Sequence, residues 1–169
     1  AEIALEGHVS VDEYGDEEVN IVELQGTTGS APANDRKEGF ESVIEGHDNL
    51  KVIASQTGNF TRSEGKTVME GFLQANPDID LVFAHNDDMG LGAMEAIEAA
   101  GKVPGVDIKI VTIDAVKDGM QALADGKFNF IVECSPLLGP QLADIVKQVV
   151  AGETPEKRII TEETTFTQE

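Results

Sequence analysis

Residues 81–100 read LVFAHNDDMGLGAMEAIEAA, and three signals follow one another within them. Leu81 to Ala84 is unbroken apolar chain, the composition of a short strand buried on both faces of a sheet. His85, Asn86, Asp87 and Asp88 then form a polar corner where a helix would begin. Met89, Ala93, Ile97 and Ala100 recur at helical spacing, and Gly101 supplies a stop. A buried strand turning through a polar corner into an amphipathic helix is one half of a βαβ unit, and the design recurs along the chain. Strands are expected at Val19–Leu24, Leu50–Ser55, Leu81–Ala84, Ile108–Ile113 and Phe128–Val132, each apolar enough to be covered on both faces. Helices are expected at Pro32–Glu45, Ser63–Asn76, Asp87–Ala100, Val116–Ala124 and Leu138–Val150. Right-handed crossovers then dictate an α/β fold, a doubly wound open parallel sheet of about five strands with helices on both faces.

The 169 residues suit one sizeable core. Asp and Glu number 32 against 12 Lys and Arg, a formal net charge of −20 that repels a phosphate backbone, so no nucleic-acid partner is expected. The acids are spread along the chain, as on a solvated exterior. The single cysteine, Cys134, cannot form an internal disulfide or a thiolate metal cluster. No apolar run is long enough to span a bilayer. Ala1 opens the sequence without a basic leader, so any export signal is expected to have been removed or to lie outside it. Gly7, Val9 and Val11 blur a helix over Ala1–Tyr14, and the Thr-rich end could add one edge strand.

In an open parallel sheet the ligand site lies beyond the carboxyl ends of the strands. Those positions are polar here: Gln25 and the small-residue loop Gly26–Ala31, Gln56 and Phe60, Asn86 with Asp87 and Asp88, Asp114, and Glu133. Arg36, early in the first helix, gains nothing from the helix dipole. Amides, carboxylates, a guanidinium and one ring on a common rim suit a polyhydroxylated ligand, whose hydroxyls both donate and accept while its apolar face lies on the ring. Other readings stay open. Asn86, Asp87, Asp88 and Asp114 could be helix caps, Arg36 a solvated surface residue, Phe60 a satellite core contact and His85 a structural residue. Asp87, Asp88 and Asp114 could make the acidic magnesium pocket of a flavodoxin-like or receiver domain, and the loop at Gly26 to Gly29 could cradle a phosphate. There is no GxSxG, P-loop, HExxH or GxGxxG signature, so no enzyme, catalytic residue, metal or cofactor is expected.

Five segments together resemble the sugar-binding proteins of bacterial ABC importers: NIVELQGTTGSAPANDRKEGF (20–40), SQTGNFTRSEGK (55–66), VFAHNDDMGLGA (82–93), VTIDAVKDG (111–119) and VECSPLLGP (132–140). The likeness is to ribose and galactofuranose binders of the type I periplasmic fold. Regulators of the lactose-repressor kind share that fold but carry a helix-turn-helix, which is not found here. The resemblance implies an exported, periplasmic or extracellular protein that presents a monosaccharide to a transporter permease. It also implies that Arg36 hydrogen-bonds the sugar, Phe60 packs on its ring, Asn86 and Asp114 bind hydroxyls, and Glu133 lies near the last pocket position.

Members of that family have two lobes, and this chain resembles the second alone. The division implied is a lead-in over residues 1–17, a sugar-binding lobe over 18–135, a crossover helix over 136–160 that belongs to the other lobe, and a return segment over 161–169. The apolar stripe of the crossover helix, Leu138, Leu142, Ile145 and Val149, would then lack its usual cover. The helix is expected to dock on another chain by self-association, repack on its own sheet or be poorly ordered, and half a pocket is expected to bind sugar weakly.

Overall fold

The computed structural model of the chain describes residues 17–161 and 163–168. Strands β1 (Val19–Gln25), β2 (Leu50–Thr57), β3 (Leu81–Ala84), β4 (Lys109–Asp114), β5 (Phe130–Glu133) and β6 (Thr165–Phe166) form one sheet in the order β2-β1-β3-β4-β5-β6. The first five pair in parallel, and β6 runs antiparallel to β5 through Ile131–Phe166 and Val132–Thr165. The helices are α1 (Ala31–Ile44), α2 (Arg62–Ala75), α3 (Asp87–Ala99), α4 (Lys117–Ala124) and α5 (Gly139–Val150). The doubly wound parallel sheet read from the sequence is therefore present, with one antiparallel edge strand added from the Thr-rich end. The expected features of Ala1–Tyr14 lie outside the described residues.

The period-2 alternation of each strand sends side chains into two cores. Val22, Leu24, Val82, Ala84, Ile110 and Ile131 meet α2, α3 and α4 through Val68, Met69, Phe72, Met89, Ile97 and Leu123. Val19, Ile21, Leu81, Phe83, Val111, Ile113 and Phe130 point the other way, toward Phe40 and Ile44 of α1. Phe40 stacks on Phe83 with ring centroids 4.2 Å apart. Helices α2 and α3 approach closely because glycine stands at the crossing: a Cβ on Gly65 would lie 2.7 Å from Met89 Cα, and one on Gly92 would lie 2.2 Å from the Arg62 carbonyl oxygen.

One expectation is corrected, and one of three alternatives for the crossover helix is set aside. Strand β2 is not covered on both faces. It is the sheet's outer strand, Val52 and Ile53 are more than one-third exposed, and a bulge opposite Ile21 and Val22 leaves Ile53 out of register. Its run of apolar residues matched a central strand in composition, but composition does not report how many neighbours a strand has. Helix α5 does not repack on the sheet either. It is formed, yet none of its residues is buried, and Leu142, Val146 and Val149 are all more than half exposed. Among the described residues no helix is long and apolar enough to cross a membrane.

Candidate functional site

The carboxyl ends of β1 to β5 open on one edge, and four sequence-picked side chains are linked there. Arg36 leaves the first turns of α1 and donates through Nη2 to Asp114 Oδ1 at 3.2 Å and through Nη1 to the His85 carbonyl. Its Cζ lies 5.6 Å from the centre of the Phe60 ring, within cation–π range. Asn86 donates from Nδ2 to the Phe60 carbonyl at 3.3 Å, while its Oδ1 accepts the Met89 amide at 3.0 Å and caps α3. Glu133 is in register beside Asp114 on the neighbouring strand, but its Oε2 accepts the Thr164 amide at 3.2 Å, on the way into β6.

The loops that present these groups hold unusual backbone. Asn59, Phe60, Asp114 and Ala115 have φ of 51°, 60°, 130° and 68°, and they are the non-glycine residues of positive φ among those described. Such conformations cost about 1–3 kcal/mol each and persist where surroundings enforce them. Thr57 Oγ1 donates to the Gly26 carbonyl at 2.7 Å, the Gly58 amide to the Gln25 carbonyl at 2.8 Å, and Asn59 Nδ2 to Glu64 at 2.6 Å, which holds the Phe60 loop. The tip of the Phe60 ring is pressed on Gly26, where an added Cβ would lie 1.9 Å from Phe60 Cζ. With glycine at 26 the ring can rest there; a larger residue would have to displace it.

Asp87 braces the Asp114 loop from beneath. Fully buried, it accepts from Thr112 Oγ1 and from the Val116 amide at 2.7 Å. Burial pushes its carboxyl up to about 6, against the hydrogen bonds from Thr112 and Val116. Asp114 is also raised by burial, opposed by the Arg36 guanidinium. The cap reading fits Asn86. Asp87 instead reaches to the neighbouring strand and loop, and Asp88 pairs with Arg62 at 3.2 Å. The three acids of the hypothetical magnesium pocket are thus shared among three different sets of partners. No group of three or more metal-ligating side chains occurs among the described residues.

His85 and Glu23 were not picked as site residues. Glu23 lies within an apolar strand, and its role depends on a partner 62 positions away: both are buried, and His85 Nε2 lies 2.9 Å from Glu23 Oε1. A groove of about 730 Å3 lies elsewhere, between α1 and β2, lined by Glu38, Glu41, Glu45 and Asp48. Its other lining residues are Ser42, His47 and the apolar Ile44, Leu50 and Val52, with no guanidinium and no phenyl ring, so the strand-end cluster is the better candidate.

A family described as periplasmic binding protein domain matches residues 5–154. The chain is 45% identical over 160 residues to the galactofuranose-binding protein YtfQ of Escherichia coli, covering 92% of this chain and 50% of that protein. It superposes with a TM-score of 0.88 on a Mycobacterium smegmatis protein in complex with β-D-fucofuranose, at 64% identity over 94% of this chain and 53% of the other. The periplasmic binding component of the arabinose ABC transporter of Shewanella sp. ANA-3, bound to α- and β-L-arabinofuranose, gives 0.87 at 44% identity, with 94% and 53% covered. The chain spans about half the length of the curated relatives it matches.

Proposed function

The chain belongs to the periplasmic binding protein family, and from that premise we propose that it is one sugar-holding lobe of a solute-binding protein serving an ABC importer. Its ligand is a monosaccharide of the ribose or galactofuranose kind. The fucofuranose and arabinofuranose complexes of similar proteins support a five-membered ring. Residues 18–135 form the lobe, 136–160 cross toward a second lobe, and 161–169 return. Export and delivery to a membrane permease come with the same reading.

The observation that carries it is the linked cluster of Arg36, Phe60, Asn86 and Asp114 on one strand-end rim. The cluster has capacity to spare. Arg36 commits two of its five donors within the protein, Asp114 keeps Oδ2 without a hydrogen-bond donor among the described residues, and Asn86 retains one N–H. Asp114 accepts from a sugar hydroxyl while Arg36 donates to one, and Phe60 offers its ring to the C–H side of the sugar. Glu133 sits one strand further and closes the rim, its first obligation being to Thr164. No catalytic step is involved: binding shifts the two lobes toward a closed form that the permease recognises.

Calorimetry of the full-length protein against a panel of pentoses and hexoses tests this. Binding of a furanose-forming sugar, weakened at least about tenfold by Arg36→Ala and by Phe60→Ala, is the expected result. Failure of every sugar to bind, or retention of full affinity by Arg36→Ala, would overturn it.

A further inference from the structure

We infer that the buried pair His85 and Glu23 is a positioning device for the sugar site, setting Arg36 and the floor under Phe60 from behind. This deepens the sugar-binding reading and rests on it.

The Gly26 amide lies 3.1 Å from His85 Nδ1 and can only donate, so Nδ1 is the acceptor and carries no hydrogen. The ring proton is then on Nε2, which faces Glu23 Oε1 at 2.9 Å and donates to it. Glu23 Oε2 in turn accepts from Gln25 Nε2 at 3.0 Å, Lys37 Nζ at 3.2 Å and the Ser55 hydroxyl. The imidazole is thereby held from both sides in one tautomer and orientation, and it also lies against Phe83, ring centroids 5.1 Å apart. It has no exposed surface, so it does not touch a ligand itself.

Two of the groups that His85 holds, Gly26 and Arg36, belong to the rim. Its Nδ1 fixes Gly26, the residue on which the tip of Phe60 rests. Its main-chain carbonyl receives Arg36 Nη1, and the same guanidinium bonds Asp114 and covers Phe60. Lys37, beside Arg36 on α1, is tied to Glu23, so the carboxylate also anchors the helix that delivers the arginine. Packing alone does not call for such a pair, because apolar residues of the same volume often serve a core as well as a buried ion pair does. The polar side-chain contacts of the pair reach Gln25 and Gly26 at the end of β1, Lys37 on α1 beside Arg36, and Ser55 on β2.

The test uses His85→Leu, which removes both ring bonds, and His85→Gln, which keeps a donor toward Glu23 and a more conservative fold. In the sugar-free protein, NMR reads the Gly26 amide and the Arg36 guanidinium protons. Loss of Gly26 amide protection and faster guanidinium exchange in either folded variant are expected, and unchanged values in both overturn the inference whether or not a sugar is known. In the full-length protein, each variant is combined with Arg36→Ala and Kd is measured for the sugar that the wild type binds. A positioning role predicts about a tenfold loss from the His85 change alone and little further loss once Arg36 is absent. A purely structural role predicts a lowered Tm with Kd unchanged in the folded fraction, or losses that multiply, and either result overturns the inference. If the wild type binds no sugar while the NMR changes appear, the sugar reading fails and the positioning geometry stands.

Discussion

Arg36 and Asp114 sit 78 positions apart, yet each was legible alone: a cation where the helix dipole disfavours one, and an acid directly after a buried strand. Their neighbours in space were less legible. Asp87 reads in the sequence as one more helix-capping acid, and only the fold turns it toward Thr112 and Val116. That placement has a consequence for pH. The unfolded chain ionises Asp87 near its ordinary 3.8 and the folded chain near 6, so between these values the fold holds more proton than the unfolded chain does. The contribution of Asp87 to stability therefore declines as pH rises from about 4 to 6 and is level above. Carbon-detected NMR of the Asp87 carboxyl should give a midpoint near 6, and a midpoint below 4 would refute the account. Glu23 has the opposite sign. Burial works to raise its carboxyl, but hydrogen bonds from His85, Ser55 and Gln25 outweigh it and hold the group at about 2. That stabilisation is in place above the ordinary 4.5 and is lost as pH falls toward 2.

Helices α2 and α3 depend on glycine at their crossing, which the periodicity of their apolar residues does not announce. Gly92→Ala would put a methyl group against the Arg62 carbonyl, rigid backbone rather than a mobile side chain. It should destabilise the chain by about 1–3 kcal/mol in urea denaturation despite the better helix propensity of alanine, and a neutral or stabilising result would count against this packing. Helix α5 sets the contrasting case. Its apolar spacing is legible in the sequence, yet none of its residues is buried. Leu142→Lys should therefore leave stability within about 0.5 kcal/mol of wild type. The same change should abolish any concentration-dependent association seen by sedimentation velocity, which is the outcome expected if copies bury the stripe against each other. A large loss of stability on Leu142→Lys would mean that the helix packs on its own sheet after all. Strand β2 shows why element type and element environment separate: apolar, β-branched composition makes a strand, but whether it is central depends on which strands lie beside it.

A formal charge of −20 on 169 residues makes self-repulsion a property of the whole molecule. Raising NaCl from about 0.02 to 0.5 M shortens the screening length and should raise Tm, whereas a falling Tm would show that ion pairs such as Arg62 with Asp88 and Asp118 outweigh the repulsion. The isolated chain should bind sugar far more weakly than the full-length protein, a comparison calorimetry makes directly, because convergent polar groups from one side cannot desolvate a ligand. Local order along the chain determined which segments are strands and helices, their parallel winding, and the polar character of the strand ends, because period and caps act over a few residues. The joining of Glu23 to His85, the reach of Asp87 to Val116, the bulge of β2 and the bareness of α5 were decided only when segments tens of residues apart met. Those features depend on which surfaces the sheet order places in contact, and no short-range pattern encodes that order.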